Sequence, residues 1–154
     1  MDKKEKTKFL NFKHVRINKQ REQMEQIKKD GVCPFCIEYL TKYHESPIEK
    51  DGKWWILSKN DFPYNGTSIH YILIYKYHIT QPHNIDSSAW VEFGEYISYL
   101  NKKYAEKGGA LFMRFGDTDY TGASINHMHA QFIVGGPYNE NADKIKVSLG
   151  YKIL

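Results

Sequence analysis

Residues 124–134, Ser-Ile-Asn-His-Met-His-Ala-Gln-Phe-Ile-Val, alternate in a way that an extended chain can use and a helix cannot. A β-strand sends successive side chains to opposite faces, so the whole stretch reads as one strand with His127, His129 and Gln131 on one face and Met128, Ala130 and Phe132 on the other. The apolar face needs a covering layer. The polar face sets two imidazoles and a carboxamide in a line, with neighbours about 7 Å apart, and such a line can grip or attack a phosphate. A solvated outer face would account for one such residue, but the flank adds to the pattern. Residues 116–124, Gly-Asp-Thr-Asp-Tyr-Thr-Gly-Ala-Ser, form a glycine-bounded loop that brings backbone N–H groups and the Ser124 hydroxyl to the same edge.

The remaining elements are those of an α+β fold. Residues 1–12 are charged and read as loose. From His14 to Lys29, Val15, Ile17, Met24 and Ile27 form the thin apolar stripe of an amphipathic helix that Asp30-Gly31 ends. Together these make a tail and helix over residues 1–30, ahead of one domain over 31–154. Asp51-Gly52 is a hairpin-turn signal leading into a strand at 53–58. The unbroken apolar run in 70–76 predicts a strand buried on both faces near the sheet centre. Asp86 caps a helix over 87–106, which Gly108-Gly109 stops and which would lie across the sheet. Strands follow at 110–115 and 124–134, and 145–147 adds an edge, giving a largely antiparallel sheet of about five strands.

A net charge of +4 suits an anionic ligand, but many of the basic residues crowd into the first 30 positions, and so diffuse a charge does not indicate specific nucleic-acid binding. No apolar run approaches the length of a membrane span, and the amino terminus lacks the apolar core of a secretory signal, so a cytoplasmic protein is expected. In a reducing compartment Cys33-Pro34-Phe35-Cys36 is more naturally half of a zinc site than a disulfide. Plain structural cysteines and redox chemistry stay open beside it. The redox reading wants a core strand directly before the motif, and a polar helix and a glycine stand there instead.

The pattern Gly122-x-Ser124-x-x-His127-x-His129-x-Gln131 resembles the signature of the histidine triad (HIT) superfamily, a strand-borne His-x-His-x-His preceded by Gly-x-Ser. Gln131 in the third place is similar to the branch containing galactose-1-phosphate uridylyltransferase and diadenosine tetraphosphate phosphorylase. Residues 70–78 resemble the family's Gly-His-x-Leu-Val-Ile-Pro-Lys-x-His, with His70 and His78 at the family separation and Tyr75 in place of the proline.

The resemblance implies a HIT-like fold, a structural zinc and a nucleotide substrate. It implies zinc ligands at Cys33, Cys36, His78 and His127. By spacing alone His44, eight residues after Cys36, competes for the third place, while His70 and His83 read as core or surface histidines and His14 carries no signal. The resemblance places the nucleophile at His129, which would form a covalent nucleotidyl-histidine. Gln131 and Ser124 would support the phosphate, Asn60 or else Asp61 would hold the ribose, and Arg114 would lie near the phosphates. A dinucleoside polyphosphate or nucleotide sugar would be cleaved by transfer to phosphate or a sugar phosphate, as in a nucleotidyltransferase or phosphorylase, or to water, as in a hydrolase. A homodimer is implied as well. The competing class is a zinc-stabilised nucleotide-binding or interaction protein with little catalysis.

Overall fold

A computed structural model describes residues 6–154. Five strands, β1 (Ile48–Asp51), β2 (Trp55–Lys59), β3 (Ile69–Tyr75), β4 (Ala110–Arg114) and β5 (His129–Val134), form one sheet in the order β1-β2-β3-β5-β4. Every neighbouring pair is antiparallel. β3 is the central strand and is buried along nearly its whole length, as its apolar run requires. Ile72 stands opposite Gln131 and Ile74 opposite His129, so these four side chains share a face.

The other face carries the larger core. Trp55, Leu57, Tyr71, Leu73, Ala130 and Phe132 lie beneath helix α3 (Ser87–Tyr104), which contributes Ala89, Phe93, Tyr96 and Leu100. The Asp86 side chain caps α3 by accepting the Ser88 N–H at 2.8 Å. The helix is tied to the β1–β2 turn by Glu92, which accepts the N–H groups of Lys53, Trp54 and Trp55. On the chemical face Ile56, Ile72 and Ile74 pack against Leu40 of α2 (Ile37–Tyr43) and against Phe35. Helix α1 (Asn18–Asp30) buries Met24 and Ile27 against Leu10, Phe12 and Tyr43. It ends at Gly31, whose φ of 68° is the left-handed cap that glycine adopts without strain. Among the described residues no helix is long and apolar enough to cross a membrane.

Four sequence expectations need correction. Residues 1–5 lie outside the described residues, but Leu10, Asn11 and Phe12 are buried rather than loose, because two apolar side chains follow the charged run and find a core. Helix α1 starts at Asn18, four residues late, since Ile17 is extended and Phe12–His14 form a 3₁₀ turn. The signature strand begins at His129 and not at Ser124: residues 124–126 bond instead to the amino-terminal segment, through Asn11 N–H to Ser124 O and Asn126 N–H to Phe9 O, each at 2.8 Å. Residues 145–147 form no strand. The fifth strand is β1, while Ile145 lies near Gly66 and Gly135 and the segment helps to line a cavity on the chemical face.

Candidate metal centre and phosphate site

The turn between α1 and α2 carries Cys33 and Cys36, with the Cys36 N–H closing onto Cys33 O at 3.3 Å. His78 follows the end of β3 and His127 precedes β5. The antiparallel pairing of those strands brings both imidazoles to the cysteines. One ligand atom from each of Cys33, Cys36, His78 and His127 lies within 4.8 Å of all the others. His127 Nδ1 is 3.4 Å from Cys33 Sγ, 3.8 Å from Cys36 Sγ and 3.2 Å from His78 Nδ1, and Cys36 Sγ is 3.5 Å from His78 Nδ1. A tetrahedron built on zinc–sulfur and zinc–nitrogen bonds of ordinary length has N–N edges of ~3.3 Å and N–S edges of ~3.6 Å. The donor set therefore fits zinc in both chemistry and spacing.

Burial pushes the Cys33 thiol up to about 12, so keeping it as a thiolate requires an adjacent cation. The other nitrogen of His127, Nε2, donates to the Tyr75 carbonyl at 2.6 Å, which leaves the Nδ1 lone pair facing the sulfurs. His44 is elsewhere. Its ring lies between Asp61, 3.2 Å from Nδ1, and Ser58 Oγ, 2.6 Å from Nε2. The likeness of this arrangement to a Ser-His-Asp triad stops at its geometry, because Ser58 is fully buried and donates its hydroxyl to the Pro47 carbonyl at 2.8 Å.

His129 opens β5 on the chemical face. Its Nδ1–H donates to the His127 carbonyl at 2.5 Å, and its Nε2 has no hydrogen-bond partner. Among the described residues no buried side-chain nitrogen or oxygen is left unpartnered, so this Nε2 opens onto the cavity that His129 helps to line. Burial lowers its pKa to about 4, which leaves the ring neutral near pH 7 with a free lone pair on Nε2. Phe35 packs edge-on against the ring at 5.0 Å and holds its plane.

Two residues along, Gln131 turns its carboxamide oxygen into the protein. That oxygen is 2.6 Å from His70 Nε2 and 3.1 Å from Asn60 Nδ2. His70 Nδ1 accepts the Tyr64 N–H at 3.0 Å, and Asn60 Oδ1 accepts the Phe62 N–H at 2.8 Å. The Gln131 NH₂ has no protein partner and faces the same cavity. Sequence reasoning passed over His70; its parity with Ile72 and Ile74 was the available signal for placing it on the face of Gln131.

The cavity has a volume of about 1010 Å³ and takes its floor from His129, Gln131 and Ile72. Arg114, opposite His129 across the β4–β5 ladder, reaches its wall. There its Nε and Nη2 donate to the Ser148 carbonyl at 2.9 and 2.5 Å and its Nη1 donates to the Tyr64 hydroxyl at 3.2 Å. Ser124 also lines the cavity but gives its hydroxyl proton to the His14 carbonyl at 3.2 Å. Asp61 stands at the rim with its carboxylate fully engaged: it accepts the Glu45 and Ser46 N–H groups and the Ser46 hydroxyl and faces His44. Burial pushes its carboxyl up, but His44 and these bonds together outweigh burial and hold its pKa well below the usual carboxylate range. The Asn60 side chain is likewise committed to Phe62 and Gln131, so a ribose could be held by either residue only in exchange for these bonds. Residues 13–17 and 143–148 complete the walls, a contribution with no motif to announce it.

No protein-family profile and no curated protein matches the chain. Solved structures do match it. A HIT family hydrolase from Clostridium thermocellum is 24% identical, with a TM-score of 0.53 over 74% of this chain and 96% of that one. A histidine triad nucleotide-binding protein from Candida albicans is 16% identical, with a TM-score of 0.54 over 73% and 87%. A zinc-bound histidine triad family protein from Mycobacterium smegmatis is 12% identical, with a TM-score of 0.52 over 79% and 85%. At such identities the likeness is one of fold: this chain folds as histidine triad proteins do.

Proposed function

We propose that the chain is a nucleotide-processing enzyme that cleaves a phosphoanhydride, phosphoester or phosphoramidate bond at a nucleoside phosphate through a covalent intermediate on His129. The observation that carries this reading is the free Nε2 of His129, open to a cavity whose floor also presents the Gln131 NH₂ and whose wall holds Arg114. In the first half-reaction the Nε2 lone pair forms a bond to phosphorus while the bond to the leaving group breaks, the leaving group taking the electron pair. The ring then carries a positive charge, which the His127 carbonyl stabilises through Nδ1–H. Gln131 donates to a non-bridging oxygen, and Ser124 and Arg114 can do so once they release their present carbonyl partners. In the second half-reaction an acceptor oxygen displaces Nε2 and restores the neutral ring.

Zinc, held by Cys33, Cys36, His78 and His127, would supply the charge that keeps the thiolates ionised and would fix the position of His127. A zinc-bound neighbour of the same fold supports this reading, as do neighbours described as a hydrolase and a nucleotide-binding protein. The acceptor we favour is phosphate or a sugar phosphate, on the resemblance of Gln131 to the transferase branch. A cavity of about 1010 Å³ leaves room for a two-part substrate such as a dinucleoside polyphosphate or nucleotide sugar. We place the chain in the cytoplasm, where a reducing environment would keep Cys33 and Cys36 from pairing as a disulfide and leave both to the metal. Exposed Trp90, Val91, Leu111 and Phe115 offer apolar surface for a homodimer, and light scattering at micromolar concentration should give twice the chain mass.

A nucleotide-binding protein with little catalysis is the second reading, favoured by the Ser148 carbonyl already seated on Arg114. The two separate in one experiment. Dinucleoside polyphosphates, nucleotide sugars and nucleoside phosphoramidates are incubated with and without orthophosphate, and quenched protein is searched by mass spectrometry for an acid-labile adduct. An adduct on His129 supports the enzyme; binding without turnover or adduct supports the second reading.

A further inference from the structure

The side of Gln131 that meets a phosphate decides whether it attracts or repels it. A carboxamide NH₂ donates to a phosphate oxygen, whereas its carbonyl oxygen, turned the same way, would face that oxygen with a second partial negative charge. Two groups with no freedom of their own settle the choice here. The backbone N–H of Tyr64 can only donate, so His70 Nδ1 must accept it, and the single proton of a neutral ring then sits on Nε2. That N–H points at one terminal atom of Gln131 at 2.6 Å, which must therefore be the oxygen. The backbone N–H of Phe62 fixes Asn60 Oδ1 in the same manner, so Asn60 aims its NH₂ at that same oxygen. Both assignments converge, and the NH₂ of Gln131 is left for the cavity.

We propose that His70 is a positioning residue for the reaction, holding the Gln131 carboxamide so that its NH₂ and not its oxygen meets the substrate phosphate. His70 is 5% exposed and does not line the cavity; it acts through Gln131, with Asn60 as the second clamp. Tyr64 packs edge-on against the ring at 4.7 Å, which holds the imidazole in the plane of both its hydrogen bonds. The inference rests on the reading of Gln131 as a phosphate donor given above.

The test has a spectroscopic arm and a kinetic arm, both on the full chain. Nitrogen-15 NMR of the histidine rings should show His70 with its proton on Nε2 between pH 6 and pH 8, and addition of inorganic phosphate should move the Gln131 side-chain NH₂ signals. A proton on Nδ1, or rapid exchange between tautomers, overturns the proposal without reference to turnover. The kinetic arm uses the p-nitrophenyl esters of AMP and UMP. His70→Phe should lower kcat roughly 10- to 100-fold with little change in KM, because the donor is present but misdirected. His70→Gln keeps a donor at the same reach and should restore most of the rate. Gln131→Ala should cost far less in the His70→Phe background than in the native chain. Full additivity, or loss of activity in His70→Gln equal to that in His70→Phe, overturns the positioning role. If Gln131→Ala is silent in the native chain while the NMR result stands, the error lies in the reading of Gln131 and not in the lock.

Discussion

His127 and His129, two residues apart in sequence, are joined by a hydrogen bond from the Nδ1–H of the second to the carbonyl of the first at 2.5 Å. The same His127 offers its Nδ1 to the cysteine cluster and its Nε2–H to Tyr75. One residue thus meets the Cys33–Cys36–His78 cluster by its ring and the proposed nucleophile by its backbone. Because the bond to His129 comes from the main chain, it survives any side-chain substitution at 127 that leaves the backbone in place.

The proposed nucleophile lies apart from the proposed zinc ligands, so one can be removed without disturbing the other. His129→Ala should lower turnover by about 10⁴-fold or more, with zinc content and thermal stability near native, since none of the four cluster atoms belongs to it. Mass spectrometry should find no adduct. Near-full activity in this variant would sink the covalent mechanism.

Metal analysis of protein purified without chelator should give about one zinc per chain. Cys33→Ser or Cys36→Ser should lower that content, and chelation of the native protein should cost several kcal/mol, a fall in Tm of more than about 10 °C. A metal-free protein of undiminished stability rules the site out.

Acid should act on rate and on stability in the same direction. Burial lowers His129 and His70 from 6.5 to about 4. The acid limb of kcat/KM should therefore fall near pH 4 and stay flat through the usual histidine range, because Nε2 of His129 is unprotonated above it. For stability, both folded and unfolded rings are neutral above about pH 6.5, and the full value is present there. Below that, the unfolded chain binds protons first, so stability is lost as pH falls from about 6.5 to about 4, by up to about 1.4 kcal/mol per pH unit for each ring. Denaturant melts at pH 7, 5.5 and 4.5 measure this, and a stability that does not fall across them contradicts it.

Arg114 should report on binding more than on chemistry. Arg114→Ala removes a fork already engaged by Ser148 and Tyr64, and KM for an anionic substrate should rise roughly tenfold while kcat changes less. The converse pattern in steady-state kinetics would place the guanidinium at the transition state instead.

Much of this arrangement was legible in the chain because it depends on local period. The alternation of His129 and Gln131 with Ala130 and Phe132 matches the two faces of β5, and the apolar run in 70–76 coincides with the central strand β3. Asp86 and Gly31 marked helix ends whose caps the structure shows. What escaped is non-local. The burial of Leu10 and Phe12 depends on α1 and Tyr43 closing over them, and the bonding of Phe9 and Asn11 to residues 124–126 follows from no pattern near either end. His70 looked like a core histidine because its meaning lies in Gln131, 61 residues away. His44, a candidate on spacing alone, pairs with Asp61 and Ser58 because α2 carries it away from the cysteines.

β5 has Ala130 and Phe132 on the side of α3 and His129 and Gln131 on the other. A slip of one residue against β3 would exchange the two sets, sending an imidazole and a carboxamide into the oil beneath α3 and a phenyl ring into the cavity. Such a chain could not persist as a slower version of the native one, since the burial of unpartnered polar groups would oppose its folding. The strand pairing therefore guards the site: a molecule with this strand in the wrong frame fails to fold before the cavity it would line can form.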